Sequence, residues 1–311
     1  MPKIEMSSGD LRVDRRLAFA EGLWAGGDAV VAADLMAETM PEAPHWAVGW
    51  LRFGEMAEAA GRIGQAIEAY QRASALDPGD RLGAALRRDL LRKTPVIERL
   101  SSGFVEGLFD DYAHRFDQSL VGKLGYRGPE ILAAALPERL GRVLDLGCGT
   151  GLMGVAIRER ASLLEGWDIS AAMLRQAKAK KAYGSLSKQD LNSLQIGGQQ
   201  WDTILAADVL IYIGALERLV GWVAGSLAPG GVFAFTVEEH MGEGFVLGEA
   251  RRYAHSEAYL RELLAQAGFA NVALTRETLR TDRGQPVWAL VASASVLVTK
   301  PGRAGEETEF A

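Results

Sequence analysis

Val143-Leu144-Asp145-Leu146-Gly147-Cys148-Gly149-Thr150-Gly151 begins as an apolar strand and ends as a glycine-rich turn. An amphipathic helical pattern starts just after it, so the glycines lie between a strand and a helix. Glycine at such a place lets the backbone turn tightly and come close to a ligand with no Cβ in the way. Gly149-Thr150-Gly151-Leu152-Met153-Gly154 also fits the G-x-G-x-x-G of dinucleotide sites, a weak pattern taken alone. Asp145 separates the readings. A pyrophosphate rests against this loop in dinucleotide enzymes, and a carboxylate beside it repels that charge.

A ligand that is positive at this point is favoured instead, and S-adenosylmethionine (SAM) presents an ammonium and a sulfonium there. Asp145, Gly147, Cys148, Gly149 and Gly151 are therefore read as its cradle. Asp168 ends the next strand and can accept hydrogen bonds from both ribose hydroxyls; Ser170 is placed to cap the following helix in its stead. Ile169 and Met173 are expected to pack on the adenosine. After the third strand, Asp190 offers an acceptor to the adenine amino group and Leu191 an apolar neighbour to the ring. Asp208, after the fourth, is expected near the methyl-donor end. All four acids fall at carboxyl ends of parallel strands, where open α/β sheets bind ligands.

Strands are predicted near 142–147, 163–168, 185–189, 202–207, 231–237, 269–279 and 287–297, with helices near 151–160, 170–182, 214–227 and 256–267. The alternation reads as α/β with a mostly parallel sheet. Upstream, Pro44 and Pro78 stand 34 residues apart, the period of a tetratricopeptide repeat. Trp50, Phe53-Gly54, Gly61, Ala66, Tyr70 and Ala73 fill one unit, and Arg16, Phe19-Ala20, Gly27, Ala32, Met36 and Thr39 match them one period earlier. A capping helix is expected from about Asp80 to Arg92. The domain reading is a helical repeat domain over 1–94, connecting or lid helices over 95–141, a SAM-binding domain over 142–299 and a loose polar tail over 300–311.

These residues resemble the class I SAM-dependent methyltransferases, over roughly Phe104 to Val298. A narrower resemblance, to bacterial predicted methyltransferases with N-terminal tetratricopeptide repeats, rests on Phe109-Asp110-Asp111-Tyr112-Ala113, Leu124-Gly125-Tyr126-Arg127-Gly128-Pro129, Asp208-Val209-Leu210-Ile211-Tyr212-Ile213-Gly214 and Arg252-Tyr253-Ala254-His255-Ser256. The resemblance implies a seven-stranded Rossmann-like sheet ordered 3-2-1-4-5-7-6, preceded by the all-α repeat domain. It implies that Asp145 and the loop hold the methionine part of SAM, Asp168 the ribose and Asp190 the adenine. It also makes Tyr112, Phe116 and Tyr126 lid residues over the cofactor, with S-adenosyl-L-homocysteine as the product.

Methyl transfer from a sulfonium needs orientation and dryness more than side-chain chemistry, so the acceptor side is less legible. His240, after the fifth strand, and His255, before a helix, are the substrate-side candidates together with Tyr212. The stretch Asp208-Val209-Leu210-Ile211 lacks the Pro-Pro-aromatic signature of amino-directed nucleic-acid methyltransferases, and the net charge of −6 does not attract phosphate backbones. A small-molecule acceptor is favoured over nucleic acid. A protein substrate docked on the repeats and a non-catalytic SAM-binding scaffold are the alternatives, and the repeat domain is also available for self-association. Cys148 is the single cysteine, which excludes an intrachain disulfide and fits a cytoplasmic protein. No histidine, cysteine and carboxylate spacing reads as a metal site, and no window is apolar enough to span a membrane.

Overall fold

A computed structural model describes residues 4–91, 100–195, 197–248, 250–282 and 284–296. Two compact units part between Tyr112 and Ala113. The expected junction near residue 94 and the tail over 300–311 lie outside the described residues. The helix Ser102–Tyr112, expected among the connecting helices, belongs to the first unit. Its Gly103 approaches so closely that a Cβ there would stand 2.3 Å from the Gly79 carbonyl oxygen, and Ser101 Oγ donates to the Asp80 carbonyl at 3.2 Å.

The first unit comprises α1 (Leu11–Ala25), α2 (Ala29–Thr39), α3 (Ala47–Ala59), α4 (Ile63–Leu76), α5 (Ala84–Leu91) and α6 (Ser102–Tyr112). Successive helices pack on each other through alanines, methionines and single aromatics: Ala20, Ala32, Met36, Phe53, Met56, Ala66 and Tyr70 share one core. A Cβ on Gly54 would sit 2.5 Å from the Tyr70 ring, so this glycine is what lets α3 and α4 close together. The 34-residue register persists in burial. Ala20 and Gly54, Ala32 and Ala66, Met36 and Tyr70, and Thr39 and Ala73 are all buried, while Gly27 and Gly61 turn the two hairpins with φ of 95° and 74°. Phe19 breaks the correspondence: it is 65% exposed, against 7% for Phe53.

The second unit runs α7 (Gly128–Ala134), β1 (Gly141–Leu146), α8 (Leu152–Ile157), β2 (Ala161–Asp168), α9 (Ala171–Ala179), β3 (Ser185–Lys188), β4 (Trp201–Ala206), α10 (Glu217–Ser226), β5 (Leu227–Glu239), β6 (Phe245–Leu247), β7 (Tyr253–His255), α11 (Glu257–Gln266), β8 (Phe269–Asp282) and β9 (Gln285–Val296). Strands β3, β2, β1, β4 and β5 lie side by side and parallel, in the expected order. β9 joins β5 antiparallel and β8 joins β9, so the terminal hairpin fills the two places expected for the seventh and sixth strands. The expectation of seven strands is corrected to nine among the described residues. The additions are β6 and β7, three residues each, paired antiparallel to one another. Glu238 of β5 pairs with Ala289 on one side and Ala254 on the other. Since β4 also lies opposite β9, β7 prolongs the β4 edge past Ala206. No described helix is long and apolar enough to cross a membrane.

Strand alternation supplies two cores. Leu144, Leu146, Ile204, Phe233, Phe235, Leu290 and Ala292 face α10 and α11, whereas Val143, Leu205, Ala234 and Val291 face α7 and α8. Asp145 shares the parity of Val143, and this places its carboxyl beneath α8 and the glycine loop.

Candidate functional site

The loop after β1 is tied on three sides. Cys148 N donates to the Trp167 carbonyl at 2.9 Å, which fixes the loop to β2. Gly149 N donates to Asp168 Oδ2 at 2.8 Å. Gly147 is packed against Val209: a Cβ there would stand 2.3 Å from its Cγ2, so the turn after β4 touches the loop directly. Gly149 is different. Its φ is 53°, and a Cβ would meet nothing closer than 4.0 Å, which leaves open space above it for a ligand. Gly151, with φ of 88°, opens α8.

Asp145 is 1% exposed. Its Oδ2 accepts from the Tyr183 hydroxyl at 2.6 Å, and that hydroxyl accepts in turn from Gly154 N at 3.1 Å. Oδ1 has no hydrogen-bond partner. Burial pushes the carboxyl up to about 7, opposed by the Tyr183 hydrogen bond and reinforced by Asp168. A buried carboxylate oxygen without a donor fits an ammonium group. Cys148 is also buried, and its thiol is raised by the same desolvation, so it is no nucleophile.

Asp168 spans two loops, because its Oδ1 accepts from Ser170 N at 2.8 Å while Oδ2 holds Gly149 N. Ser170 caps α9 by accepting from Met173 N, as expected. Ile169 is half-buried and Met173 fully buried beside it. Asp190 holds Asn192 N at 2.8 Å, a local turn bond that steadies Leu191 at the end of β3. The open loop above Gly149, the unpaired Asp145 oxygen and the bridging Asp168 together suit SAM.

The acceptor-side expectations divide. His255 is 0% exposed, shares its Nε2 with the Gly214 carbonyl at 2.9 Å and stacks on Tyr259. Burial lowers it to about 4, so it is a neutral structural ring at neutral pH and is withdrawn from the substrate side. His240 is half-buried, and its backbone N–H donates to the His255 carbonyl at 2.9 Å. Tyr126 is buried against Leu279 and Ala289 of the terminal hairpin, with Asp208 and Arg280 acting on its phenol. Tyr212 is half-buried in the field of the same pair. Tyr112 ends the first unit and Phe116 lies in the second, half-buried.

Several partners carried no signal in the sequence. Asp117, from the segment before α7, accepts from Thr150 Oγ1 of the glycine loop. Lys180 Nζ closes this clasp, reaching Asp117 Oδ2 at 2.7 Å and the Thr150 carbonyl at 2.6 Å. Arg280, 2% exposed, pairs with Asp208 at 3.1 Å and with Glu238. Only the terminal hairpin, which returns β8 toward the ends of β4 and β5, makes that contact. Among the described residues no cluster of three or more metal-binding side chains occurs.

Residues 143–231 match a family described as a methyltransferase domain. The chain is 32% identical over 143 residues to the chloroplastic magnesium protoporphyrin IX methyltransferase of Arabidopsis thaliana, covering 41% of this chain and 46% of the relative. It is 31% identical over 115 residues to the malonyl-[acyl-carrier protein] O-methyltransferase of Enterobacter lignolyticus, covering 37% and 46%. The chain thus spans about half the length of these curated relatives. Among solved structures it is similar to the magnesium protoporphyrin IX methyltransferase of Synechocystis with bound S-adenosylhomocysteine, at 22% identity and a TM-score of 0.48, over 63% of this chain and 99% of that one. The matched residues 143–231 carry the glycine loop, Asp145, Asp168 and Asp208, so the part of the chain that is similar to a methyltransferase domain is the part that holds the candidate site.

Proposed function

We propose that the protein transfers a methyl group from SAM to a small-molecule acceptor. One observation carries the reading: Asp168 joins the amides of Gly149 and Ser170 at the ends of β1 and β2, beside an open glycine and the unpaired Asp145 oxygen. In this reading Asp145 faces the methionine ammonium, Asp168 the ribose, Asp190 and Leu191 the adenine, and Ile169 and Met173 flank the adenosine. The backbone of Gly147, Cys148, Gly149 and Gly151 lines the methionine part, with Asp208 and Tyr126 at the methyl end. SAM supplies an already activated methyl group, so these residues bind, orient and exclude water. Relatives named for magnesium protoporphyrin and trans-aconitate favour a small acceptor, a likeness in the size of the substrate and not in the atom that is methylated.

The helices of the first unit are read as two tetratricopeptide-like hairpins with α5 as their cap. Leu11 and Phe19 are exposed on α1, 66% and 65%, an apolar face that favours self-association or a protein partner. A cytoplasmic setting suits the single buried cysteine. Labelled SAM offered separately to the small-molecule and protein fractions of a bacterial extract tests the acceptor class. Transfer into the small-molecule fraction is expected, and label confined to protein would overturn it.

A further inference from the structure

The donor reading uses Asp208 only for its place at the methyl end, and leaves the polar assembly around its carboxylate without a task. Asp208 follows β4 in a left-handed conformation, φ 55°, and its backbone N–H donates to Thr236 Oγ1 at 2.8 Å. Its carboxylate, 12% exposed, faces Arg280 Nη1 at 3.1 and 3.4 Å. The other terminal nitrogen of Arg280 is held by Glu238. Glu238 also pairs with Arg252 at 2.9 Å, and Arg252 reaches Asp282 at 3.4 Å. Three carboxylates thus alternate with two guanidiniums at the carboxyl ends of β4 and β5, which leaves one negative charge in excess. The phenols of Tyr126 and Tyr212 lie in the same field. Val209, the next residue, is the one packed on Gly147 of the donor loop.

Buried ion pairs are weak contributors to stability, and a strained backbone is kept only where its surroundings hold it. Here both the backbone N–H and the side chain of Asp208 are held, one residue from the donor loop. We propose that Asp208 takes the proton of the methyl acceptor, that Arg280 is the positioning residue that aims it, and that the acceptor is a hydroxyl or an amine rather than a carboxylate. The inference rests on the methyltransferase reading. The acceptor oxygen or nitrogen bonds to the methyl carbon as the carbon–sulfur bond breaks. The electron pair of that bond stays on sulfur as a neutral thioether, and the acceptor proton passes to an Asp208 oxygen and then to water. A carboxylate acceptor has no proton to give and meets the excess negative charge. Burial pushes Asp208 up to about 6, with Arg280 opposing and Glu238 adding to the rise, a range in which a carboxylate serves as general base.

The test uses the full chain, tritiated-methyl SAM and the small-molecule fraction of a bacterial extract. Transferred label should survive mild alkali, as methyl ethers and methylamines do. Asp208→Asn should lower the rate by roughly 10²–10⁴-fold with S-adenosylhomocysteine affinity unchanged in calorimetry. The rate should rise with pH through about 6. Arg280→Met should move that limb upward, and Arg280→Lys should bring it back. Carbon-13 NMR of the Asp208 carboxyl in the ligand-free protein should show the same displacement without any turnover. If Asp208→Asn does not fold, the Arg280→Lys limb and the wild-type titration carry the test. Alkali-labile label released as methanol, full activity in Asp208→Asn, an unmoved limb in Arg280→Met, or S-adenosylhomocysteine binding with no transfer would each overturn the proposal. If the wild type binds neither SAM nor S-adenosylhomocysteine, the methyltransferase reading itself fails.

Discussion

Gly149 in the β1–α8 turn and Gly154 inside α8 give opposite forecasts for the same substitution. At Gly149 an added Cβ meets only open space, so Gly149→Ala should fold with a loss of about 1 kcal/mol from the left-handed backbone. It should nevertheless weaken SAM binding at least about tenfold, because the methyl group stands where the ligand approaches. At Gly154 a Cβ would lie 2.3 Å from the Tyr183 ring, so Gly154→Ala should instead cost about 1–3 kcal/mol in stability. Thermal unfolding and calorimetry on both variants separate the two effects. Asp145 makes a pH forecast. Its folded-state pKa, about 7, lies above its ordinary value of 3.8, so the folded chain holds the extra proton between those values and loses stability as pH rises through about 7. Asp145→Asn should therefore stabilise the ligand-free protein at pH 8, on the order of 1–3 kcal/mol, while weakening SAM binding. An unchanged melting temperature at pH 8 would contradict this. Asp145 and Asp168 were legible because strand ends place them. Tyr183 and Arg280 were not, since the turn after α9 and the terminal hairpin bring them in from 38 and 72 residues away.

At the scale of elements, the segment before α7 is fastened to the donor loop by Asp117, Thr150 and Lys180. Asp117 is 41% exposed, so solvent screens the pair and its removal costs little stability, about 0–1 kcal/mol. The kinetic effect should be clearer. Lys180→Met should speed S-adenosylhomocysteine release a few-fold in stopped-flow fluorescence, with Trp167 next to Asp168 as a reporter; an unchanged off-rate would show that the clasp does not retain the ligand. The β6–β7 pair escaped the sequence reading because three-residue strands show no periodicity. Its His255 looked reactive in sequence and proves enclosed. His255→Phe should lower stability by about 1–3 kcal/mol through the unsatisfied Gly214 carbonyl and leave the shape of the pH–rate profile intact. A lost limb in that profile would restore a chemical role to the ring.

For the molecule as a whole, the sheet was readable because each central strand is buried on both faces and bounded by turns. Val143 and Leu144 already separate the two cores by parity. The order beyond β5 came from resemblance, and the added strands came only from the fold. The helical unit was readable in register, through Gly27 and Gly61, and not in outward surface, since Phe19 and Phe53 share a position and differ in burial. The acceptor side was less legible because the residues proposed for it, Asp208 after β4 and Arg280 on β8, stand 72 positions apart and no contiguous motif links them. The donor site is the account's central claim, and calorimetric binding of S-adenosylhomocysteine to the wild type and to Asp168→Ala tests it most directly. The wild type should bind, and ligand at one hundred times the dissociation constant should stabilise it by about 2.7 kcal/mol, whereas Asp168→Ala should lose most of the affinity and stay folded. No binding by the wild type, or equal binding by Asp168→Ala, would contradict the account.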